Sequence, residues 1–155
     1  MTKRRLGVDA ELNQIAHTIK DGIRKFRELN KRGDYSQVMT WVIEGSLACT
    51  ARPLRYHPDY GGSGNPLPAE AKPELDKWIG FVRTEGIVSI ISFVSEKELA
   101  LYSEPLPDGM TLIDYYKSLG FRVCHVPWSD PAHTGYANFQ SEVEEKLEAE
   151  FNKDD

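Results

Sequence analysis

A chain of 155 residues with 40% hydrophobic side chains can bury about two-thirds of its unfolded surface, so one domain spanning 1–155 is the expectation. A net charge of −5 argues against a nucleic-acid surface, and the longest apolar stretch, 87–94, falls well short of the ~20 residues a membrane span needs. Two cysteines with no Cys-x-x-Cys pair, no Asn-x-Ser/Thr sequon and a basic start followed by polar sequence point to the reducing cytoplasm.

In chain order, the first element is a helix over 9–33. Leu12, Ile15, Ala16, Ile19, Ile23, Phe26 and Leu29 recur at helical spacing, with Asp9 placed to cap the start and Gly33 the end. The stripe is expected to cover the protein's own core; a partner is the alternative. The basic residues gathered between Lys20 and Arg32 read as its solvated face. Met39 to Ile43 and Leu47 to Cys49 read as two short strands turned at Glu44-Gly45. The segment 52–72, with four prolines and three glycines in Arg52 to Lys72, reads as a long, exposed and irregular loop.

The pattern then alternates α and β over 73–151. Pro73 opens a helix with Leu75, Trp78, Ile79 and Val82 on one face, ended by Gly86. Ile87 to Val94 is a β-branched run suited to burial on both faces, as in a parallel sheet. Ser95-Glu-Lys-Glu98 has capping-box spacing, Thr111 caps a helix over 112–119, Gly120 ends it, and Phe121 to Pro127 is the next strand. Strand, helices and strand make a right-handed βαβ crossover. An acidic last helix presents Phe139, Val143, Leu147 and Phe151 on one side.

Three segments together resemble the cysteine-dependent dual-specificity and tyrosine protein phosphatases over their N-terminal two-thirds. They are Gly45-Ser-Leu-Ala-Cys-Thr-Ala-Arg-Pro53, Gly86-Ile-Val-Ser-Ile-Ile-Ser-Phe93 followed by Glu96-Lys-Glu-Leu-Ala-Leu-Tyr102, and Tyr115 through His125-Val-Pro-Trp-Ser-Asp130. The resemblance implies an α/β fold of three layers, a phosphatase-like sheet with flanking helices and this N-terminal amphipathic helix. It implies no cofactor and no metal. It also implies a thiolate that attacks phosphorus, an Arg that grips the phosphoryl oxygens in a fork, and a loop Asp that protonates the leaving oxygen.

By position Asp130 matches that general acid; an Asp opening a loop turn before Pro131 is the structural alternative. The family's His-Cys, five residues, Arg segment is absent from these residues. Cys124 precedes His125, in reverse order and without the Arg, and reads as a core cysteine; His133 reads as a polar surface residue. Cys49 and Arg55 have the right separation. Pro53, however, lacks an N–H, and Tyr56-His-Pro-Asp-Tyr-Gly-Gly62 does not read as the helix a phosphate cradle runs into.

In the family's sheet the strand carrying the catalytic Cys is central, between the N-terminal hairpin and the βαβ pair. Its absence would leave two apolar edges unpaired. The leading expectation is therefore a truncated or split phosphatase-like protein, inactive as given and acting by binding, with a separate fragment or a second copy completing the sheet. The alternatives are an active phosphatase using Cys49 and Arg55 with Asp130 on a phosphorylated protein or small phosphoester, and an unrelated α/β interaction module. No nucleic-acid or membrane partner is expected.

Overall fold

A computed structural model describes residues 2–62, 64–128 and 139–151. The fold is mixed α/β, with five helices and two small two-stranded sheets among the described residues. Its contacts divide the chain into two compact units, residues 1–63 with 73–86, and residues 64–72 with 87–155. No described helix is long and apolar enough to cross a membrane.

The first unit begins with α1 (Thr2–Lys31). It starts earlier than expected, so Asp9 lies inside the helix and does not cap it. Lys3, Arg4 and Arg5 favour helix, and no proline stands ahead of Asp9 to stop it. At the far end Gly33 takes φ +80, its N–H donates to the Asn30 carbonyl, and Asp34 N–H donates to Leu29. That pair of bonds is a Schellman motif, which a residue with a Cβ would strain. The apolar stripe divides along the helix. Phe26 is buried and Ile19, Ile23 and Leu29 are half-buried, while Leu12 and Ile15 remain 58% and 43% exposed.

The buried half of α1 packs on β1 (Thr40–Ile43), which pairs antiparallel with β2 (Leu47–Cys49). The hairpin turns at Glu44-Gly45 as expected: Gly45 has φ +75 and Ser46 N–H donates to Ile43. The unit closes with α2 (Lys72–Thr84), which buries Leu75, Trp78, Ile79 and Val82 and stops at Gly86, φ +91.

In the second unit β3 (Ser89–Ser92) pairs parallel with β4 (Arg122–His125), in the register Ile90 with Val123 and Ile91 with Cys124. The crossover between them holds α3 (Glu96–Leu99), a 3-10 turn over Ala100–Tyr102 and α4 (Leu112–Ser118). The Ser95–Glu98 capping box forms in both directions, and Thr111 makes a second with Asp114. Gly120, φ +95, ends α4 with another Schellman pair, Phe121 N–H to Tyr116 and Gly120 N–H to Lys117. Tyr102, Leu112, Tyr116, Val123 and Val126 form its core. The last helix, α5 (Phe139–Phe151), packs on β4, where Cys124 Sγ approaches the Lys146 carbonyl at 3.8 Å.

Asp114 gives a pH test of the second box. The backbone N–H of Thr111, then its hydroxyl, holds the Asp114 carboxyl below its ordinary value. A depressed carboxylate adds stability that is complete above the unfolded pKa and lost as pH falls through the folded one. Asp114→Asn should therefore lower the melting temperature at about pH 7 and match the wild type at about pH 2. An equal difference at both would remove the ionised cap.

The segment Ile87 to Val94 departs from the expectation of burial on both faces. Only Ser89–Ser92 forms strand; Ile90 is half-buried, and Val88, Ile91 and Phe93 are 73%, 38% and 41% exposed. The reason is topological. The helices that pack on this sheet, α4 and α5, do so on β4, and β3 has no pairing partner other than β4 among the described residues, so its faces lack the cover a doubly wound sheet supplies.

Candidate functional site

The expected exposed excursion over 52–72 is, through Gly62, a packed loop. Pro53, Leu54 and His57 are buried, as are Leu67 and Ala71 further on. Successive turns close it. Arg55 N–H donates to Arg52, His57 N–H to Leu54, Gly61 N–H to His57 and Gly62 N–H to Arg55, while the Arg52 guanidinium donates to the Gly62 carbonyl at 2.8 Å. Leu54 occupies the left-handed region, φ 62, at a cost of about 1–2 kcal/mol for a residue with a Cβ. Its burial, worth about 1.5–3 kcal/mol, offsets that.

His57 is the loop's centre. Its Nδ1 accepts from the backbone N–H groups of Asp59 and Tyr60 at 3.0 and 3.1 Å, so the neutral ring carries its proton on Nε2. Nε2 faces Glu74 Oε2 at 3.6 Å. The ring stacks with Tyr60, centroids 4.6 Å apart, and with Tyr35, 5.8 Å apart. The buried Tyr35 hydroxyl has no hydrogen-bond partner among the described residues. Burial, and behind it the negative charges of Glu74 and Asp59, push its phenol well above the ordinary value.

Sequence reasoning missed this cluster because proline and glycine dominate the segment. The signal was the apolar and aromatic content, Leu54, Tyr56, His57 and Tyr60, which is more than a solvated linker carries. Loops whose ends meet and whose own side chains pack inside are Ω-like and compact.

Cys49 and Arg55 lie at the start of this loop, and their surroundings differ from a phosphate cradle. Burial pushes the half-buried Cys49 thiol up, away from the thiolate that phosphoryl transfer needs. The Arg55 N–H is already spent on Arg52, Pro53 contributes none, and the chain after Arg55 runs into turns. The Arg55 guanidinium lies over the Tyr56 ring, 5.3 Å from its centroid. Pro53 interrupts the run of N–H donors and turns, not a helix, follow Arg55, whereas an anion cradle needs consecutive donors leading into a helix.

Cys124 is buried in β4, as a core cysteine should be. Next to it, His125 Nε2 meets the Val94 carbonyl at 2.8 Å. Asp130 and His133 lie outside the described residues. No group of three or more His, Cys, Asp or Glu side chains among the described residues can hold a metal ion.

The feature with most capacity to bind is the side of β3 that has no pairing partner among the described residues. Between Ile87 and Val94 there is no charge and no proline, the residues that ordinarily guard a sheet edge. Ile91 and Phe93, two residues apart, share one sheet face and stay partly exposed. Comparisons with protein-family models, with curated proteins and with solved structures return no match for this chain.

Proposed function

We propose that this chain is a phosphatase-like α/β protein that acts by binding: the open edge of β3 takes up a strand carried by a separate polypeptide. The single observation that supports this is the apolar, uncharged β3 segment, whose strand pairs only with β4 among the described residues and which exposes Val88, Ile91 and Phe93. An edge of that composition gains backbone hydrogen bonds and buries apolar area when a strand is added to it.

The resemblance identifies the incoming element as the family's strand-loop-helix bearing His-Cys, five residues, Arg. The incoming loop would supply the thiolate and the guanidinium fork, and Asp130 of this chain the proton for the leaving oxygen. Without that element the chain does not hydrolyse phosphoesters. The elevated Cys49 thiol and the occupied N–H groups around Arg55 favour this over catalysis at Cys49.

The test is co-expression with a strand-loop-helix fragment of a dual-specificity phosphatase, scored by native mass spectrometry and by aryl-phosphate hydrolysis. The chain alone should give background rates. The complex should form, hydrolyse the ester, lose that activity in Asp130→Asn, and weaken in Ile91→Lys. A homodimer that excludes the fragment would replace the separate fragment by a second copy. Hydrolysis by the chain alone that disappears in Cys49→Ser would overturn the proposal.

A further inference from the structure

The first unit holds a cleft of about 460 Å³ that the phosphatase-like reading does not use. One wall is the run from Ser36 to Trp41 with Glu44 at the hairpin turn; the other is the carboxyl end of α2, with Phe81 and Glu85. Its chemistry has one sign. Among the described residues Glu44 and Glu85 are the only charged ones in its lining, both are exposed, and neither makes an ion pair. Trp41 and Phe81 are both half-buried in it. The carboxyl end of a helix adds partial negative charge to the same wall.

We infer that this cleft binds an organic cation of the guanidinium type, held by the Glu44 and Glu85 carboxylates against the rings of Trp41 and Phe81. Three features select that class. Two carboxylates with no basic neighbour in the lining repel anions and draw a cation. Aromatic faces attract a cation through their quadrupole, and a flat, weakly hydrated guanidinium stacks on them better than a strongly hydrated ammonium does. The guanidinium fork also matches carboxylate oxygens two at a time. The volume lies within the range of small-molecule sites, about 300–1,000 Å³, and exceeds what a lone metal ion would fill.

The same chemistry can arrive as a free guanidino compound or as an arginine side chain in a peptide, and the experiment separates them. Arginine amide, the tripeptide Gly-Arg-Gly and citrulline, the uncharged isostere of arginine, are titrated into ¹⁵N-labelled full-length protein. The Trp41 indole N–H is followed by NMR and assigned with Trp41→Phe. Arginine amide or the tripeptide, or both, should shift that signal saturably while citrulline does not. Whichever binds more tightly identifies the source. Glu44→Gln and Glu85→Gln each remove one charge-assisted contact from an exposed position, and each should weaken binding about tenfold. Folding of both variants is verified by their spectra. Equal binding of citrulline, unchanged affinity in both variants, or no saturable Trp41 shift with either guanidinium probe would overturn the assignment. None of these outcomes depends on strand addition at β3 or on phosphatase activity.

Discussion

His57→Ala is expected to destabilise the protein by about 2–4 kcal/mol, although the residue lies in a segment whose composition reads as a surface linker. Two losses combine. The backbone N–H groups of Asp59 and Tyr60 lose the acceptor they share, at about 1–3 kcal/mol for a donor left unsatisfied. The stack on Tyr60 and Tyr35 disappears, at about 0.5–1.5 kcal/mol beyond the area it buries. Water can reach Asp59, which is exposed, so the first loss lies below its ceiling. His57→Asn separates the two, because an Asn Oδ1 stands where Nδ1 stood and can accept the same bonds without the ring. Urea unfolding followed by circular dichroism should place His57→Asn about midway between wild type and His57→Ala. An alanine variant within about 0.5 kcal/mol of wild type would show that the loop closes without its histidine.

That loop marks where sequence reading failed, and the reason is physical. Helix ends are local, so the sequence alone locates Gly33, Gly86, Gly120, Ser95 and Thr111, and each does its expected work within a few residues of itself. The parallel pairing of β3 with β4 was legible too, because a capped helical crossover leaves few other arrangements. Burial of His57 and Leu67 depends on partners far away in the chain, the Tyr35 ring against His57 and the Leu101 carbonyl that accepts from Leu67 N–H, and no local period announces those. The burial of β3 failed for the complementary reason. Its β-branched composition describes the environment the strand is suited to, whereas its exposure depends on which strand the helices cover, here β4.

The candidate site divides along the same line. The unsuitability of Cys49 and Arg55 for a phosphate cradle was legible from Pro53 alone, since a missing N–H is a property of the residue. The cation cleft was not legible. Trp41 and Glu44 stand some forty residues from Phe81 and Glu85, and only the packing of the first unit places them on two walls of one cavity.

Gly22→Ala should give the second large effect, with a sign opposite to that of the same substitution elsewhere in this chain. In an exposed helix interior, alanine gains about 0.8–1 kcal/mol over glycine because it loses less backbone entropy. Gly80 in α2 is such a position: a Cβ added there meets nothing within 4 Å, and Gly80→Ala should stabilise by roughly that amount. Gly22 is different, because a Cβ on it would fall on the Thr40 side chain, against both Oγ1 and Cβ. Thr40 is buried at the start of β1, where α1 packs, so neither partner can turn aside. Lifting α1 from β1 should cost about 1–3 kcal/mol, more than the helical gain. Thr40→Gly removes the obstruction, so Gly22→Ala in that background should recover at least about 1 kcal/mol of coupling in a double-mutant cycle. Stabilisation by Gly22→Ala alone, equal to that of Gly80→Ala, would mean that α1 does not rest on β1 at this point, and the support for the hairpin at the mouth of the cation cleft would have to come from elsewhere.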